Sequence, residues 1–133
     1  MKSLTLSSFK TWMDLYGKAS QYSDPKAAAE LFTQDAEYYE TPFDEPLIGR
    51  EAIYRYWSEA SQNLKDVHFS YEILAVRGNR GVALWQGRFI NSVSGKQSVL
   101  DGVFLVEFDE PGQCRLFREW WHSKSIDARP NNA

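Results

Sequence analysis

The chain has little with which to staple, anchor or charge itself. A single cysteine, Cys114, stands among 133 residues, so no intrachain disulfide can form and nothing points to a stapled, secreted scaffold. No apolar run approaches the roughly 20 residues that a membrane helix needs. The opening MKSLTLSSFK lacks the apolar core of a signal peptide. The expected location is cytoplasmic, with no membrane partner. The net charge is −3 with no Lys/Arg run, which leaves no basic face to neutralise phosphates, and no nucleic-acid partner is expected. The two histidines, His68 and His122, lie far apart with no acidic or cysteine ligand at metal spacing, so no metal is expected. SGKQS at 94–98 lacks the first glycine of a phosphate loop and sits where a hairpin turn belongs. A Gly-x-Ser-x-Gly elbow and a dinucleotide fingerprint are also absent, and no cofactor is implied.

What the chain does have is aromatic residues: five Trp, seven Tyr and eight Phe. Such side chains suit cores, interfaces and the walls of ligand pockets alike. The length fits one domain over 1–133, with 126–133 expected as a frayed tail.

Phe9, Trp12, Met13, Tyr16 and Ala19 recur at helical spacing behind a cap at Ser7 or Ser8. Gly17 costs about 1 kcal/mol inside that helix, which close packing would explain. Asp24-Pro25 starts a second helix, expected to end near Gln34. Ala36–Thr41 reads as a strand with Tyr38 and Glu40 on one face and Glu37 and Tyr39 on the other. Pro42 and Pro46 stiffen the loop that follows. From Gly49 a third helix lines up Ile53, Trp57, Ala60 and Leu64. Four long segments separated by turn signals then predict an antiparallel meander, giving an α+β fold of order α-α-β-α-β-β-β-β. Leu100, Gly102, Phe104, Val106 and Phe108 alternate towards a core, and Asp101 faces away. The last strand carries large groups on both faces. Three helices cover only one face of a sheet, so the other is expected to pair with a second copy through Trp120, Val103 and Leu105.

Two carboxylates fall on faces that should be apolar: Glu40 beside Tyr38, and Glu119 between Phe117 and Trp121. An apolar pocket disfavours a carboxylate's charged form, which is how proteins bring a Glu towards general acid or base duty. The alternative is that each pairs with an arginine, such as Arg88 or Arg118, or reaches solvent. For Tyr16 the competing reading is plain packing.

The order of elements, with Leu31-Phe32, Asp35-Ala36, Gly49-Arg50-Glu51-Ala52-Ile53, Val103–Gly112 and Phe117–Trp121, resembles the nuclear transport factor 2-like superfamily. Its nearest branches are the SnoaL-like polyketide cyclases and the ketosteroid isomerases, with limonene epoxide hydrolase more distant. The resemblance covers nearly the whole chain. It implies a cone-shaped α+β barrel, a curved sheet over helices around an apolar pocket. It places the isomerase's phenolic oxyanion donor on Tyr16 and its general base on Glu40. Pocket aromatics fall on Trp57 and Trp121, and one epoxide hydrolase Asp falls on Glu119. The isomerase's second oxyanion donor, a protonated Asp, falls on Phe104. The hydrolase's remaining Arg and Asp fall near Trp85 and Gly87, so neither catalytic set is complete.

The reading is a SnoaL-like pocket protein, working as a homodimer, that moves a proton on a small apolar or aromatic molecule. The expected catalytic groups are Glu40, Glu119 and Tyr16, with Met13, Phe32, Tyr38, Trp57, Trp85, Phe104, Phe117 and Trp121 lining the pocket. The alternative is a non-catalytic binding or dimerisation module in which these residues only shape the cavity.

Overall fold

A computed structural model describes residues 3–110 and 112–126. Helix α1 (Leu6–Gln21) is capped by Thr5, not by Ser7 or Ser8. The Thr5 hydroxyl accepts the Ser8 N–H at 3.0 Å while the Ser8 hydroxyl accepts the Thr5 N–H at 3.1 Å. This reciprocal box satisfies two orphan donors at once, and Ser8 serves as its third helical residue. Phe9, Trp12, Met13, Tyr16 and Ala19 are buried as the periodicity predicts. Gly17 has its packing reason, since a Cβ there would lie 2.9 Å from the Phe69 ring.

Helix α2 (Pro25–Ala29) starts at the Asp24 cap, whose carboxylate accepts the Ala27 N–H at 3.1 Å, but it stops well short of Gln34. Strand β1 (Phe32–Tyr39) takes over those residues. Tertiary hydrogen bonds override helical continuation. The Leu31 carbonyl accepts the Trp12 indole N–H at 3.0 Å and the Cys114 N–H at 2.9 Å. The Phe32 carbonyl accepts from Arg50 at 2.6 and 3.0 Å.

A two-residue strand not foreseen in the sequence, β2 (Leu47–Ile48), pairs with β1. Gly49, at φ 92°, then opens α3 (Arg50–Ala60). The expected stripe is cut short. Ile53 and Trp57 are buried, but Ala60 is exposed and Leu64 already belongs to the next strand. Asn63, with φ 64°, turns the chain between them.

Strands β3 (Leu64–Arg77), β4 (Arg80–Asn91), β5 (Gln97–Glu110) and β6 (Gln113–Ile126) form the predicted meander. The six strands run in the order β2-β1-β6-β5-β4-β3, with β1 parallel to β6. The sheet is open, with β2 and β3 at its edges, and it curves over the three helices as the expected cone-shaped α+β fold does. Ile126 belongs to β6, and the rest of the tail expected over 126–133 lies outside the described residues.

On β5, Gly102, Phe104, Val106 and Phe108 are buried beneath the helices and Leu100 is half-buried. Asp101 is exposed on the other face, accepting from Gln86 Nε2 at 3.0 Å. That outer face also holds Glu107, buried and ion-paired with Arg80 at 2.9 Å and with Arg115.

Candidate functional site

Strand register sets the site in rows across the concave face. One row runs Tyr71, Trp85, Gly102, Trp121 from β3 to β6. The next, deeper row is Ile73, Ala83, Phe104, Glu119. Towards the open end lies Phe69, Gly87, Leu100, Ser123, where the residues become half-buried or exposed. A cleft of about 480 Å³ opens at this end, with Gln21, Phe69, Gly87 and Leu100 among its walls. A larger groove of about 700 Å³ lies elsewhere, between α1 and α2 against Leu15, Tyr22 and Leu31. It holds none of the expected acids.

Glu119 is 7% exposed, yet among the described residues it makes no ion pair. Its Oε2 lies 3.5 Å from the Tyr38 hydroxyl, at the outer limit of a hydrogen bond. Burial pushes its carboxyl well above the usual carboxylate range, and the Glu40 charge pushes it further, while the Tyr38 hydroxyl offsets part of the rise. Among the described residues, neither Arg88 nor Arg118 forms an ion pair with either acid.

Glu40 lies just past the end of β1, half-buried at the rim. The Trp121 indole N–H reaches both its carboxylate, at 2.9 Å, and its backbone carbonyl, at 3.1 Å. This fork holds the side chain against the sheet and leaves it open to an approaching molecule. The two carboxyls thus differ in setting: one is deep and apolar, the other sits at the edge with a donor.

Phenols surround them. Burial raises the Tyr16 hydroxyl far above its ordinary pKa, with the Glu119 charge adding to it. Tyr38 is raised by burial and by its neighbours Tyr16 and Glu119. The Trp57 indole N–H lies close enough to offset part of that rise, without reaching hydrogen-bond geometry. Tyr56, which the sequence reading did not select, is also raised, by burial and then by the Glu40 and Glu119 charges. Its signal lay in the i+3 spacing from Ile53 beside the i+4 spacing to Trp57. All three phenols remain protonated donors at neutral pH.

The rings pack against one another. Tyr38 stacks on Phe117 with centroids 4.5 Å apart, and Phe104 meets Phe117 at 4.8 Å and Tyr16 at 5.0 Å. Met13, Phe32, Trp57 and Trp85 join the same cluster, and Trp121 packs against it. Tyr16 and the residues named from the sequence as pocket walls thus belong to, or pack against, one core cluster. Cys114, buried with its Sγ 3.2 Å from the Leu116 carbonyl and its thiol pKa raised by burial, is set apart as an inert core residue.

The SnoaL-like domain model matches residues 12–116, which spans α1 to the start of β6. The chain belongs to the SnoaL-like domain family. Among SnoaL-like relatives, it is 32% identical over 98 residues to a Steroid Delta-isomerase of Nocardioides simplex, covering 73% of this chain and 76% of that protein. The solved structure of SalBIII, an epoxide hydrolase/cyclase-like enzyme with a role in pyran ring formation in the polyether salinomycin, matches with a TM-score of 0.75. That match covers 87% of this chain and 92% of the other at 17% identity, a likeness of fold.

In this SnoaL-like domain the Gly-Arg pair at 49–50 is structural. Gly49 donates its N–H to the Ala36 carbonyl at 2.8 Å, and Arg50 ties the start of β1 to Gln113 at 3.0 Å. Phe104, where the resemblance expects an acid, pairs across the sheet directly with Glu119.

Proposed function

We propose that this SnoaL-like domain is an enzyme that moves a proton on a small, largely apolar ketone. The observation that carries the reading is a pair of carboxyls in unlike settings beside one aromatic cluster, Glu119 raised by burial and Glu40 at the rim. Pairs of titratable groups pushed apart by their surroundings mark acid and base assignments. Glu40 takes a proton from the carbon beside the carbonyl. The electron pair moves to the carbonyl oxygen, which accepts hydrogen bonds from protonated Glu119 and from Tyr16. The same proton returns from Glu40 to the far carbon of the enolate, so no oxidant or co-reactant is consumed. Similarity to the Steroid Delta-isomerase supports this class of reaction.

The test follows a β,γ-unsaturated steroid ketone by the ultraviolet absorbance of its conjugated product. The wild-type protein should form the product. Glu40→Gln should lower kcat by at least about 100-fold, the usual range for removing a general base. Absence of turnover in the wild type, or full activity of Glu40→Gln, would overturn the reading.

The protein acts in the cytoplasm as a homodimer. Val103, Leu105 and Trp120 sit part-exposed on the outer sheet face, with Trp120 at 40%. Arg118 lies 5.0 Å from the Tyr39 ring centroid and 5.3 Å from that of Trp120, with its Nε buried and unpartnered. No helix among the described residues is long and apolar enough to cross a membrane.

A further inference from the structure

Arg118 brings a charge to the outer sheet face that its own chain leaves unanswered. Its guanidinium carbon lies over the rings of Tyr39 and Trp120, 5.0 and 5.3 Å from their centroids, and its Nε is buried without a partner. Ring faces attract a guanidinium but supply no acceptor for its N–H groups and no opposite charge. Among the described residues Arg118 forms no ion pair. Two acids stand in the next row of the same face, and both are engaged elsewhere. Glu107 is paired with Arg80 and Arg115, and Glu37 accepts from the Tyr39 hydroxyl at 3.4 Å.

Strand register supplies the missing acid once a second copy is present. On the outer face the row Trp120, Val103, Leu84 is apolar. On one side of it runs Arg118, Leu105, Val82, and on the other His122, Asp101, Gln86, Ser70. In a two-fold dimer the same patch serves both copies, so every contact occurs twice. Sheets packed face to face with the axis along the apolar row set that row against itself and exchange the two flanking rows. Arg118 and Leu105 of one copy then meet the row of His122 and Asp101 of the other. Asp101 is the single acid in that row. It is exposed, and its partner Gln86 is a neutral amide, which leaves its charge unopposed. Covering Trp120 also covers the Arg118 beside it, and a cation taken out of water without a carboxylate is strongly unfavourable. We infer that Arg118 pairs with Asp101 of a second copy, twice over, and that these two ion pairs set the register of the homodimer.

This inference rests on the homodimer reading, and charge reversal separates the two. Sedimentation velocity of the full chain over a dilution series gives the dimer dissociation constant for the wild type, Arg118→Glu, Asp101→Arg and the double variant. Each single reversal sets like charges opposite each other at two places and should raise the constant at least about tenfold. The double variant restores opposite charges and should recover most of the loss. Far-ultraviolet circular dichroism checks that each variant folds. Asp101 is exposed and Gln86 is its one hydrogen-bond partner, so Asp101→Arg decides the matter alone should Arg118→Glu unfold. A wild-type dimer whose constant does not move in Asp101→Arg, or a folded double variant no tighter than the single ones, overturns the ion pair and leaves the homodimer standing. A monomeric wild type overturns both.

Discussion

At the scale of single residues, Glu119 works against the stability of the fold it belongs to. Its folded pKa is raised above the usual 4.5 by burial first and by Glu40 second. The folded state therefore holds a proton that the unfolded chain releases. This contribution is fully present below pH 4.5 and is lost as pH rises through the raised folded value. Glu119→Gln keeps the shape and removes the titration. Thermal melts should show the variant more stable than the wild type at pH about 8, by roughly 1–3 kcal/mol, with the gap closing towards pH about 4.5. A gap that widens on acidification would contradict the buried, protonated acid. Asp14 behaves in the opposite sense. Lys10 lies 2.8 Å away and the Tyr71 hydroxyl donates at 2.5 Å, and both hold its carboxyl below the ordinary range. Its support is present above the ordinary pKa of 3.8 and is lost as pH falls through the lowered value. The burial of Glu119 was legible in the sequence because strand parity is strict, with a period of two. Tyr56 was not, because the stripe Ile53, Trp57, Ala60, Leu64 passes over the residue beside Trp57.

At the scale of elements, two contacts decide where the chain changes course. Arg50 supplies three hydrogen bonds, two to the Phe32 carbonyl and one to Gln113. Arg50→Ala leaves that half-buried carbonyl short of donors and should cost about 1–3 kcal/mol. Urea unfolding should show a lower midpoint with the slope unchanged. Gly17→Ala sets two effects against each other. Helix propensity gains about 1 kcal/mol, while the added carbon meets the Phe69 ring at 2.9 Å, and overpacking costs about 1–3 kcal/mol. The second effect wins, so the variant should melt lower than the wild type by a few degrees. The helix faces and the four meander strands were readable because hydrophobic period and turn residues agree there. The end of α2 was not, because carbonyls held by Trp12, Arg50 and Cys114 outweigh local helix preference, and those partners are distant in sequence. The pair at Leu47–Ile48 is too short to carry any periodicity.

At the scale of the whole molecule, one sheet face is covered and the other is free. Val103, Leu105 and Trp120 on the free face, bordered by the Glu107 and Arg115 pair, offer an apolar centre with a charged edge. Static light scattering should give twice the chain's 15.4 kDa at micromolar concentration. Trp120→Glu should halve that mass while the far-ultraviolet circular dichroism stays the same. A monomeric wild type would sink the homodimer. The α+β class and the order of the long elements were legible, but closure was not. Hydrophobic alternation says which face a strand buries and nothing of whether the first and last edges meet.

The parallel pairing of β1 with β6 joins two segments separated in synthesis by most of the meander. Until Gln113 and the residues after it have left the ribosome, the Leu31 carbonyl lacks the Cys114 N–H, and Phe32 and Tyr38 lack Phe117 to pack on. The helices and β1 must therefore wait, aromatic faces bare, while the whole meander is translated. Contacts this distant close slowly, and a nascent chain with open strand edges is the species most exposed to aggregation. The growing chain has its greatest need of a chaperone in the interval between β1 and β6.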